Sequence, residues 1–340
     1  MPKVTTHLSK SLLSLAAAIL LATLAKAHAE PLKIRVAYVV PVTNIASILF
    51  AKDGIAKHNG KSYTFDAIRY QASTTQIIAL ANGELDMALL GFTSLPLAID
   101  NAHMDDLRAI IGELQDGAAG YYSNEFAVLA DGPIHRVEDL KGRIVATNAQ
   151  GSAVDIGMRA RLPASRLEVK RDYTIIEAQF AAMRAILSEH KADLVPNVPP
   201  FSRHPDMVKT ARTLFTQADG IGVSELGLWV ARADYIQKNR AVLVDFLEDY
   251  LRMVRFYTDP ANHDEAVAIA AGYMKLPTST FQDWLFTKKD YYRDPAGRID
   301  LVSLQRTYDV QQDLGFLKTK IDAGRNIDLS PIEEAGKRLQ

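Results

Sequence analysis

The chain contains no cysteine, which excludes disulfides, thiol nucleophiles and cysteine-based metal sites from its 340 residues. It also has almost no excess charge: 39 Lys and Arg against 40 Asp and Glu leave −1 at neutral pH. A balance this even gives no electrostatic footprint for nucleic acid or an anionic membrane. Low-complexity segments are missing, and long apolar runs are missing everywhere except at the start. There, Lys3, His7 and Lys10 precede the 13-residue apolar run Leu12 to Leu24, and Ala27-His28-Ala29 follows it. The run is too short to span a bilayer, and the small-x-small triplet matches a signal-peptidase site. Residues 1–29 therefore read as a cleaved export signal, which places the mature chain from Glu30 in the periplasm. Its loss removes three lysines and no acid, so the net charge moves from −1 to about −4.

The usual signatures of catalysis are also missing. Gly222-Val223-Ser224-Glu225-Leu226 lacks the closing glycine of a nucleophile elbow. Gly220-Ile221-Gly222 has no third glycine at dinucleotide spacing, and no phosphate loop occurs. Beyond the signal, the histidines at 58, 103, 135, 190, 204 and 263 form no helix-spaced pair. The expectation is no catalytic residue, no metal and no cofactor.

What is present is an alternation of strands and amphipathic helices. Leu32 to Val40, Ser62 to Tyr70 and Leu85 to Leu90 have strand character, with helices predicted over 44–58 and from Ser73 to Leu80. The same order recurs. Strands are predicted over 143–147, 167–176 and 191–195, with helices over 151–161 and 178–190. Two β-α-β-α-β units of similar length predict two α/β lobes, each a mixed sheet flanked by helices, with a ligand crevice beyond the strand carboxyl ends. Gly-rich stretches near Asp116 to Tyr122 and Asp219 to Gly227 are the expected crossings. Lobe 1 is then residues 30–118 with 228–340, and lobe 2 is 119–227. Helices over 241–257, 262–274 and 300–318 form a helical C-terminal extension, and Tyr291 to Arg298 reads as a polar turn.

Two segments carry a family resemblance. Ala79-Leu80-Ala81-Asn82-Gly83-Glu84-Leu85-Asp86-Met87-Ala88 and Val137-Glu138-Asp139-Leu140-Lys141-Gly142-Arg143-Ile144-Val145-Ala146 resemble the "alxxGxxDxa" and "veDLkGkkva" segments of exported solute-binding proteins. Gly151-Ser152 at a helix start and Lys191-Ala192-Asp193 after one continue the pattern. Over residues 32–255 the chain is similar to the sulfonate, taurine and nitrate binding group, which shares its NMT1/THI5-like fold with thiamine-pyrimidine-precursor binders. The resemblance implies the type II periplasmic-binding-protein fold and a monomer that closes on a small anion for delivery to an ABC-transporter permease. A secreted enzyme or a ligand sensor on the same two-lobed fold is the alternative.

Helix N-termini at a cleft offer unpaired N–H groups and partial positive charge to an anion. Four predicted starts follow strands: Thr43-Asn44, Ser73-Thr74-Thr75, Thr93-Ser94 and Gly151-Ser152. Plain N-capping is the competing role for each. Asn197 at a strand end is a candidate amide donor, and Tyr121 a candidate apolar wall. Glu125 and Glu225, near the two crossings, are candidates to meet an ammonium group on the ligand. Asp86 and Asp193 hold equivalent places in the two units and read as structural.

Overall fold

The computed structural model describes residues 30–340, so the expected export signal at 1–29 lies outside the described residues. Strands β1 (Leu32–Tyr38), β2 (Tyr63–Arg69), β3 (Met87–Leu90), β4 (Leu107–Asp116) and β10 (Ser224–Arg232) form one sheet in the order β2-β1-β3-β10-β4. β1 runs parallel to β2 and β3, whereas β10 lies antiparallel between β3 and β4. Both faces of this sheet are covered, so side chains alternate between two cores. Trp229 and Ala231 of β10 face the long helix Arg240–Thr258, whose Phe246 and Tyr250 are buried there. Leu228 and Val230 face the opposite core, shared with Leu80, Leu95, Leu304 and Tyr308.

The second lobe holds β5 (Glu125–Leu129), β6 (Arg143–Thr147), β7 (Tyr173–Glu177), β8 (Val195–Asn197) and β9 (Ala211–Thr216). β8-β5-β9 is antiparallel, and β6 runs parallel to β7. A parallel bridge from Val145 to Leu194 completes the order β7-β6-Leu194, which repeats β2-β1-β3 of the first lobe. The aspartates at the end of each unit act alike. Asp86 accepts the Arg35 N–H at 2.8 Å and its own N–H donates back to the Arg35 carbonyl. Asp193 does the same with Ile144, at 3.0 Å.

Two expected elements differ. The predicted helix over 44–58 is a single turn, Ile45–Ser47, followed by irregular chain. Ile45, Ile48 and Leu49 are buried as their spacing implied. Gly54, at φ +80°, turns the backbone out of any helix, and Asp249 takes the N–H groups of Lys57, His58 and Asn59 that a helix would have used. Residues 167–172 are a turn rather than strand, because Arg166 and Lys170 adopt positive φ and the Asp172 carboxylate accepts the Glu168 N–H.

The chain leaves the first sheet after Asp116 and returns at Ser224. The two crossings lie side by side: a Cβ on Gly117 would stand 2.7 Å from that of Ala218. Asp116 accepts from Ser123 Oγ and the Asn124 N–H, and Asn124 in turn donates to Gln217 at 3.1 Å. Residues 290–297, nearly the same stretch as the polar turn expected over Tyr291 to Arg298, form a strap along the free edge of β4. Their carbonyls accept from Gly112, Gln115 and Tyr122 N–H groups at 2.8–3.0 Å.

Candidate functional site: the cleft between the lobes

A cavity of about 620 Å³ lies between the lobes. Its lining follows from the topology. Val39 and Val40 come directly after β1, Gly91 after β3, Asn148 after β6 and Val198 after β8, so the cleft collects strand carboxyl ends from both sheets. Val39, Val40, Leu89, Leu90, Leu114, Phe180, Val198 and Leu226 supply apolar walls. Thr43, Asn44, Ser73, Asn124, Asn148, Ser152 and Tyr291 supply the polar side chains, and among the described residues no Asp, Glu, Lys, Arg or His is in the lining.

Two helix N-termini, one from each lobe, meet here: Ser73–Ala81 and Ala153–Arg161, the latter capped by Ser152. Gly91 sits between them. A Cβ at that position would lie 3.3 Å from the Ala153 Cβ and 3.8 Å from Ser73 Oγ, so the lobes are in contact and the cleft is closed. Ser73 Oγ accepts the Gly91 N–H at 3.1 Å, which leaves its own proton to donate. Ser152 Oγ donates to Asn148 Oδ1 at 2.7 Å and accepts from the Asp155 N–H, and that orientation turns the Asn148 NH₂ away from the acceptor bond.

Of the remaining predicted residues, Thr43 and Asn44 also line the cleft, but their side chains are engaged within the protein. Thr43 Oγ1 donates across the cleft to the Pro199 carbonyl at 2.9 Å. Asn44 Oδ1 accepts the N–H groups of Val39 and Val40 at 3.0 and 2.7 Å. The structure does not bring Thr74, Thr75, Thr93, Ser94, Gly151, Asn197, Tyr121, Glu125 or Glu225 to the lining. Thr75 Oγ1 donates to the Ala72 carbonyl within its own helix start, beside Thr74. Thr93 and Ser94 are wholly buried, with hydroxyls that meet no partner among the described residues. Gly151, at φ +74°, packs against Leu97 and Phe316. Tyr121 stacks edge-on against Tyr292. Asn197 donates to Glu125 at 3.0 Å, and its carbonyl accepts from Tyr122 Oη at 2.9 Å.

Glu225 lies beside the second crossing, where its carboxylate accepts from Gln115 Nε2 and the Asp300 N–H, both at 2.6 Å. Burial pushes its carboxyl up to about 7, the two donors only partly opposing the shift, and Asp300 and Asp294 add to it. Burial likewise raises Glu113, behind the Asn44 turn, and Asp116, at the first crossing, to about 7 each. Burial also lifts Glu125 above its ordinary value, opposed by Arg203 and Asn197.

Sequence reasoning missed Gly91, Asn124, Asn148, Phe180 and Tyr291. Gly91 and Asn148 each stand one residue past a strand end, a position that could have flagged them. Phe180 and Tyr291 carry no local signal; Tyr291 reaches the cleft only because the strap passes the crossings, where its hydroxyl donates to Asn124 Oδ1.

The fold is shared with solved proteins at low identity. The periplasmic aliphatic sulphonate binding protein SsuA from Escherichia coli is 19% identical with a TM-score of 0.68, over 88% of this chain and 92% of that one. The periplasmic nitrate-binding protein NrtA from Synechocystis PCC 6803 is 13% identical with a TM-score of 0.72, over 92% and 90%. The desulfurization enzyme DSZB is 13% identical with a TM-score of 0.65, over 91% and 100%. At these identities the likeness concerns architecture: the chain has the two-lobed fold of periplasmic binding proteins. No curated protein matches it by sequence. A model of the NMT1-like family matches residues 27–271, most of the chain and every strand of both lobes, and the chain belongs to that family.

Proposed function

We propose that this protein is the periplasmic, monomeric binding component of an ABC importer, which captures a small organic anion between its lobes and hands it to a membrane permease. One observation carries the reading: two helix N-termini from opposite lobes converge on Gly91 in a cleft that holds no charged side chain. An anionic group placed there meets the first-turn N–H groups of Ala153 and Val154, the Ser73 hydroxyl and the Asn148 amide, with no carboxylate to repel it. The apolar walls suit the organic part of a sulfonate or carboxylate. Crossings at 117–123 and 217–223 serve as the hinge, and the closed form is what the permease reads.

The test is a thermal-shift panel on refolded protein with taurine, alkyl and aryl sulfonates, the matching carboxylates, nitrate and sulfate. A ligand at about a hundred times its Kd adds about 2.7 kcal/mol and raises the Tm by several degrees. No shift with any anion sinks the reading. The likeness to DSZB favours one control, chemical turnover of any hit, which would place the protein among secreted enzymes.

A further inference from the structure

We propose that the ligand has two parts, an anionic head in the inner cleft and an apolar alkyl or aryl tail that leaves over Phe180 into a second interlobe groove. This rests on the ligand-binding reading above and narrows its ligand class. Phe180 stands where three hollows meet. It lines the inner cleft, then the mouth, where Val39, Tyr70 and Phe201 surround it, then the groove beyond. Val39 is shared by the first two hollows, and Ala181 and Phe201 by the last two, so the three adjoin around Phe180.

The groove is the largest of the three, about 1240 Å³ against 620 and 630 Å³. Met183, Met207 and Phe201 form its wall from the second lobe, and Met274 and Leu276 its wall from the first. Because both lobes build it, the groove exists only when the cleft is closed, the same state that holds the head. Leu276 is 43% exposed there, an apolar side chain left open to water at the continuation of the ligand path. Met274, half-buried at the groove, is a side chain that can reshape around differing tails, while Met183 and Met207 are packed in the second lobe's core behind the opposite wall. Arg69 and Gln71 edge the mouth from the first lobe, while Phe180 and Phe201 offer the tail an apolar passage along the other side.

Calorimetric titration with straight-chain sulfonates from ethanesulfonate to dodecanesulfonate tests this. Affinity is expected to rise about fourfold for each methylene that passes Phe180 and to level off once the groove is filled. The double variant Met274→Gln, Leu276→Gln changes one exposed side chain and one at the rim of the first core, and with folding checked by an unchanged far-UV spectrum it should abolish the rise while leaving ethanesulfonate binding unaltered. Short sulfonates that bind with no gain from longer chains overturn the inference and leave the binding reading intact. A rise that survives in the double variant overturns it too. A flat chain-length profile combined with lost stimulation of the transporter ATPase in the variant assigns the groove to the permease instead. If no sulfonate or carboxylate binds at any length, the binding reading itself fails and takes the inference with it.

Discussion

The Ser73 hydroxyl makes one hydrogen bond within the protein and keeps a proton to donate. Its oxygen accepts the Gly91 N–H, which fixes the loop after β3, and the residue lines the cleft. Ser73→Ala is expected to weaken binding of the stabilising anion about tenfold, the loss of one hydrogen bond to a charged group, as measured by calorimetry. Glu225 makes a different prediction. Its folded value, about 7, lies above the ordinary 4.5, so its neutral form is the one the fold prefers. That contribution is fully present below the ordinary value and is lost as pH rises through about 7. Glu113 and Asp116 act in the same sense. The Tm should therefore fall between about pH 5 and about pH 8, and Glu225→Gln, which keeps an oxygen for Gln115 and Asp300, should make that slope shallower. An unchanged slope in the variant would show that Glu225 is ionised throughout.

Among the elements, the paired aspartates join sequence to structure most directly. The spacing from Arg35 to Asp86 and from Ile144 to Asp193 recurs because each aspartate closes the same two-hydrogen-bond clasp onto the first strand of its unit. Asp86 adds a pair of bonds to the Arg35 guanidinium at 2.8 and 2.9 Å. Asp86→Ala is expected to cost about 1–3 kcal/mol in chemical denaturation, and Asp193→Ala less, since its partner and its own carboxylate are more exposed. The strands and this repeat were legible because a period of two and an aspartate that recurs just after the second helix of each unit are local properties. The stretch 44–58 was not: Ile45, Ile48 and Leu49 have helical spacing, yet what they pack against and the claim of Asp249 on the following N–H groups lie about two hundred residues away. The site divides the same way. Ser73 and Thr93 are both hydroxyl residues at the start of a helix after a strand, but only Ser73 faces the other lobe, while Thr93 is sealed in the first. Which helix start looks into a cleft depends on how two sheets are hung from their crossings, and no short window of sequence contains that.

At the scale of the whole molecule, direct links between the lobes hold the cleft closed. Thr43 Oγ1 reaches the Pro199 carbonyl, the Arg203 guanidinium donates to the Lys289 carbonyl at 3.2 Å and lies over the Trp284 ring at 5.9 Å, and the Arg159 guanidinium lies over the Phe316 ring at 5.3 Å. Thr43→Val keeps the shape and removes one neutral hydrogen bond, about 1 kcal/mol, so the closed-to-open ratio should drop about fivefold in a lobe-to-lobe fluorescence-transfer measurement. Gly91→Val should act more severely. Its side chain would enter the space already taken by Ala153, and small-angle scattering should show a protein that stays open with ligand present.

The position of β10 sets an order of assembly. β4 has no strand partner in the first sheet except β10, and β10 also closes the open side of β3. Every strand of the second lobe, from Glu125 to Thr216, is made before residue 224 appears. In the direction of synthesis the later-numbered lobe is thus complete while the earlier one is still three parallel strands with an unpaired edge. The lobe that begins the chain is the last to finish folding.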